Sequence, residues 1–209
     1  MMRKRISIIW LLLGSVSLWV KQSLDLRVWN NEGGPLDVAV VFTNSTPADS
    51  ILWIGFSLFG ALFVLSKVSD TRELYPLFPG RILSRKRLII KEMMTIYRRT
   101  GAYVLLVCFT AAWGGPFTSG TVFSFLYAWI ALSFLVAVLL LLENRYGIWL
   151  VLLIFSTIAP LSSFLPWMYG QGYEIWLQGT AFFHTCLLLV LTTGSSFLYL
   201  MQMKTANWG

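Results

Sequence analysis

The sequence predicts an all-α, polytopic membrane protein, a single transmembrane domain over residues 1–209 with six spanning helices and both termini cytoplasmic. Three observations predict it. Hydrophobic residues make up 57% of the chain and charged residues 12%, whereas soluble domains average ~45–50% and ~25%. Mean hydropathy is +0.71, which is more apolar surface than a soluble chain of this length can bury. The basic residues, third, fall almost entirely on alternate connections between apolar runs. Together these exclude a soluble enzyme, a disordered chain and a disulfide-rich secreted domain.

Runs of about 17–25 apolar residues mark spans, and the elements follow in order. Span one covers about 6–20, after Arg3, Lys4 and Arg5. It is expected to be retained, because Lys21-Gln22-Ser23-Leu24-Asp25 offers no small-x-small cleavage site. An outer connection, 21–50, carries the turn cluster Asn30-Asn31-Glu32-Gly33-Gly34-Pro35 and then β-prone Leu36–Phe42, which suits a small hairpin or an extended cap. Span two is about 51–66 and span three about 100–113, cut off by Gly114-Gly115-Pro116. The first three spans are short, so their ends must run into polar flanks. Span four is about 121–142, span five about 148–165 and span six about 180–203. Between the last two, the 165–179 segment is rich in Trp and Tyr, and Gly170 and Gly172 allow a tight reversal, which predicts a re-entrant element in the outer leaflet.

With the N-terminus inside, fourteen of the sixteen Lys and Arg residues lie on the cytoplasmic side and only Lys21 and Arg27 outside, a positive-inside distribution. The net charge of +7 is therefore a statement of topology and of attraction to anionic membrane lipid, and no nucleic-acid partner is expected. Trp10, Trp19, Trp53, Trp113, Trp149, Trp167, Trp176 and Trp208 mostly sit near span ends, as an interfacial aromatic belt does.

The cytoplasmic stretch 67–99 is the most informative. It is long and basic, and Pro76, Pro79 and Gly80 prevent one continuous helix. From about Ser84 a helix can form and lead into span three. On it Ile89, Ile90, Met93, Met94 and Tyr97 fall on one arc, with Lys91, Glu92, Thr95, Arg98 and Arg99 opposite. Such a helix suits the inner membrane surface before the chain turns into the bilayer. It could act as a lipid-lying anchor or as a docking element. Docking is favoured by Leu74, Tyr75, Leu77 and Phe78 just before it, which need cover from water.

The order Arg72-Glu73, Leu77, Pro79, Arg81, Ser84, Arg85 and Lys91, within six spans and an inside N-terminus, resembles the type 2 permease family of ABC transporters. The resemblance implies that this stretch is a coupling loop seated in a cleft of an ATP-binding ABC subunit, with Arg72, Glu73, Leu74, Tyr75, Leu77, Phe78, Pro79, Arg81, Arg85 and Lys91 as partner-binding residues. It implies a second permease copy or a homologous permease, since one six-span copy does not make a path. No cofactor is expected on this chain, and ATP and Mg would sit on the partner ATPase. That agrees with the absence of a G-x-x-x-x-G-K-[ST] loop. The expected location is a bacterial plasma membrane, multi-pass, and the expected activity is export. The alternative is a non-transporting scaffold, immunity or sensor subunit whose basic loop binds another protein.

Two features stand apart. His184 is the sole histidine and lies within span six, either hydrogen-bonded between helices or lining a cavity. It lacks the base, nucleophile or metal partner that catalysis needs. Cys108 and Cys186 sit in apolar runs as packing residues, so no disulfide framework is expected.

Overall fold

The computed structural model of the chain describes residues 8–20, 47–74, 85–111, 119–146 and 179–205. Among them it is all-helical, without strands: α1 is Ile8–Val20, α2 Pro47–Leu74, α3 Arg85–Ala111, α4 Ser119–Tyr146 and α5 Ala181–Thr205. The expected hairpin near 36–42, span five at 148–165 and nearly all of the re-entrant element at 165–179 lie outside the described residues. Two helices carry runs long and apolar enough to cross a membrane, Val122–Leu142 in α4 and Phe182–Tyr199 in α5. The apolar stretches Ile8–Val20 and Leu52–Ser66 are shorter. The α3 helix does not meet that test, because Lys91, Glu92, Arg98 and Arg99 interrupt its first half.

Tyr103 of α3 organises the packing. It is fully buried, its hydroxyl donates to the Phe56 carbonyl of α2 at 2.8 Å, and its ring centroid lies 5.2 Å from Phe56 and 5.7 Å from Phe63. Two glycines make the room. A Cβ at Gly60 would come within 2.7 Å of Tyr103 and 2.9 Å of Leu132, and one at Gly14 would collide with the Tyr103 hydroxyl. Small residues that let helices approach closely are the usual device where lipid offers no hydrophobic drive between helices. Around this point Leu18, Trp53, Val64, Ile96, Val107 and Leu139 complete a core shared by α1 to α4. The α5 helix packs mainly on α4, where Leu188 meets Tyr127.

Several hydroxyl and indole groups within the bundle find partners locally or across helices. The hydroxyl oxygens of Thr100 and Ser133 are 2.9 Å apart, linking α3 to α4. The Trp129 indole N–H donates to the Tyr97 carbonyl at 3.0 Å, over Gly101. On α5, the Thr192 hydroxyl donates to the Leu188 carbonyl at 2.7 Å.

The outside of the bundle is apolar as well. Ile8, Leu12, Val16 and Trp19 are exposed on α1, Leu105, Leu106 and Phe109 on α3, and Phe183, Leu189, Phe197 and Leu198 on α5. Phe182 is 83% exposed and Val190 66%. Contiguous apolar surface on several helices at once is what a bilayer covers and what water penalises.

Candidate functional site

Five of the ten expected partner-binding residues lie on described helices. The α2 helix continues eight residues past its apolar stretch, so Arg72, Glu73 and Leu74 are its last three residues. Arg85 opens α3 and Lys91 is exposed on it. Of the stretch 67–99, residues 67–74 continue α2, residues 85–99 belong to the helix expected from about Ser84, and residues 75–84 lie outside the described residues. Tyr75, Leu77, Phe78, Pro79 and Arg81 are among these last. The expected turn between a surface helix and span three is corrected: α3 runs unbroken from Arg85 to Ala111.

The face of α3 differs from the predicted one. Its buried arc carries Glu92, Met93, Ile96, Thr100, Tyr103 and Val107, while Ile90 and Met94 point outward. At 100° per residue this arc is rotated by about 80° from the predicted one. The reason is that α3 is one rigid helix. The deeper residues Tyr103 and Val107 fix its rotation, and the short window 89–97 must follow.

That rotation brings Glu92 into the bundle, only 4% exposed, where its Oε1 accepts from the Tyr199 hydroxyl of α5 at 2.8 Å. About one turn further along, the Tyr97 and Ser196 hydroxyl oxygens are 2.8 Å apart. These two contacts form a polar seam joining the basic half of α3 to the C-terminal half of α5. Beside it Arg99 lies over the Phe63 ring, 4.4 Å from its centroid, tying α3 to α2. Lys91 and Arg98 face outward. Sequence reasoning placed Glu92 on the polar face and missed the seam. The available signal was that Glu92 shares the Ile96, Tyr103 and Val107 arc, one that closes only when the whole helix is considered.

Tyr199→Phe is expected to lower stability by on the order of 1 kcal/mol, the scale of interhelical hydrogen bonds in bilayers, and Glu92→Gln by less, since the amide oxygen still accepts. Thermal unfolding of the detergent-extracted protein reads both. A larger loss for Glu92→Gln than for Tyr199→Phe would contradict this assignment.

His184 lies in the first turn of α5, half-buried. Its backbone N–H donates to the Thr180 carbonyl at 3.2 Å, and its ring meets Phe183 edge-on at 5.6 Å. Nδ1 is buried with no hydrogen-bond partner among the described residues. The structure therefore does not bring His184 to the polar seam. Among the described residues there is no group of three or more His, Cys, Asp or Glu side chains able to hold a metal ion, and Cys186 is a free thiol on the exposed side of α5.

No protein-family model, curated protein or solved structure matches the chain.

Proposed function

We propose that the chain is the permease subunit of an ABC-type transporter. In this reading it crosses the plasma membrane of a bacterial cell six times with both termini inside, and exports a hydrophobic or amphipathic substrate. ATP, with Mg, is hydrolysed by a separate ATP-binding subunit. One observation carries the reading. The α2 helix runs eight residues, or ~12 Å, past its apolar stretch, and α3 starts at Arg85 and continues unbroken to the Tyr103 cluster. The connection 75–84 is thus held by two stiff helices that pack on each other inside the bundle. A push on its apolar residues would travel into the core, which a simple lipid anchor has no need of.

The filled core supports a two-copy path. Trp53, Phe56, Tyr103 and Leu139 occupy the middle of the described bundle, so a substrate would pass between this chain and a second permease, identical or homologous. The rival reading, a scaffold, immunity or sensor subunit, keeps the same membrane architecture but binds a different protein at the connection. Nothing observed favours it over transport, and the identity of the retained partner separates the two.

The topology is tested by cysteine labelling with a membrane-impermeant reagent on intact cells, in a chain lacking Cys108 and Cys186. Positions 44 and 174 are expected to react and positions 3 and 204 to stay protected. Labelling at 204 but not at 44 contradicts the arrangement.

A further inference from the structure

We propose that the outward stripe of α3 is a binding site for an anionic phospholipid of the cytoplasmic leaflet, with Lys91 and Arg98 holding the headgroup phosphate and Met94 and Leu105 lying along an acyl chain. The inference rests on the membrane-embedded reading above, and it adds a specific lipid partner to it.

The stripe is continuous. Lys91, Met94, Arg98, Leu105 and Phe109 are all exposed, and at 100° per residue they fall within about 60° of one another. Its depth follows from the α5 contacts. Glu92 is level with Tyr199, the end of the apolar run Phe182–Tyr199. The headgroup boundary therefore crosses α3 near Lys91 and Glu92. Arg98 starts six residues deeper than Glu92, ~9 Å along the axis, on a side that faces lipid. A guanidinium cannot stay solvated by hydrocarbon there. Its long side chain must climb toward the headgroups, and Lys91 lies above it on the same stripe. Both cations converge on one patch of the interface.

Among the described residues no acid pairs with either cation. Glu92 is the sole acid in the 90–111 sequence, and it is turned inward and bound by Tyr199. The planar guanidinium fork matches a phosphodiester, and Met94, 60% exposed between the two cations, offers an adaptable apolar contact. A zwitterionic lipid carries its own cation beside its phosphate, so two unneutralised basic residues favour a headgroup with net negative charge.

The test uses the full-length protein, extracted from membranes and equilibrated in micelles holding equal phosphatidylglycerol and phosphatidylcholine, with retained lipids counted by native mass spectrometry. The wild type is expected to retain phosphatidylglycerol preferentially. The double variant K91Q/R98Q should lose roughly thirtyfold of that preference, the scale set by two basic residues facing anionic lipid. Met94→Glu, which puts an acid on the stripe without removing either cation, should lose it too, so the result does not depend on one variant folding. Lys204→Gln lowers the net charge by one elsewhere, the same change that Met94→Glu makes, and should keep the preference. Equal lipid retention by the wild type and both stripe variants overturns the site, as does an equal loss in Lys204→Gln, which would show a bulk charge effect. If alkaline carbonate releases the wild-type chain from membranes, the membrane reading itself fails and the inference fails with it.

Discussion

Tyr103→Ala is expected to destabilise the protein by about 3–5 kcal/mol, the cost of removing a large aromatic side chain from a core that cannot collapse around the gap. The void would open at the junction of four helices, where the ring now touches Phe56 and Phe63 and fills the space that Gly14 and Gly60 leave. Tyr103→Phe separates the ring from the hydroxyl. It removes only the 2.8 Å bond to the Phe56 carbonyl and should cost on the order of 1 kcal/mol. Gly60→Leu attacks the same point from the other side, because even its Cβ would press on Tyr103 and Leu132, and overpacking of this kind costs roughly 1–3 kcal/mol. Thermal unfolding of the extracted protein, followed by loss of the monodisperse peak, should rank the losses Tyr103→Ala, Gly60→Leu, Tyr103→Phe. If Tyr103→Ala melts with the wild type, Tyr103 is not the centre of the packing.

The second large effect concerns the partner. On the proposed function, Phe78→Ala should weaken retention of the proposed ATP-binding partner by ~2 kcal/mol or more, the cost of truncating a central apolar anchor. Arg85→Ala should cost ~1 kcal/mol or less, as a rim ion pair does. At ~1.4 kcal/mol per factor of ten, the first is a loss of more than tenfold and the second of several-fold at most. Retention is measured against the amount of folded chain, so that a folding defect is not read as a docking defect. Wild-type retention by Phe78→Ala would mean that Phe78 contacts only lipid.

What the sequence made legible follows from which residues carry their information locally. The apolar run of α4, Val122–Leu142, is an uninterrupted stretch without a charge, and composition alone marks it. The start of α3 near 84–85 was legible from Pro79, Gly80 and the change in periodicity after them. Its rotation was not, because Tyr103 and Val107, which help to set it, lie beyond the window that looked amphipathic. The helical extension of α2 to Leu74 was hidden by the charges Lys67, Asp70, Arg72 and Glu73, which read as loop when taken without the helix they continue. The contacts that fix the fold were illegible for a different reason. Gly14 matters because Tyr103 lies opposite, and Glu92 is buried because Tyr199, 107 residues away in the chain, donates to it. Pairings of that range leave no trace in local pattern. Of the proposed coupling residues, the order of apolar, proline and basic positions was legible; Arg72, Glu73 and Leu74 end α2, Arg85 and Lys91 lie on α3, and the other five fall outside the described residues.

The most direct measurement is purification of the tagged wild-type chain from its native membranes in mild detergent, with identification and quantification of what comes with it. A permease subunit predicts a P-loop ATPase in about stoichiometric amount, with ATP hydrolysis in the eluate. Intact, membrane-extracted chain recovered with no ATPase, or with a different protein in its place, contradicts the transport account and makes the basic end of the bundle a scaffold.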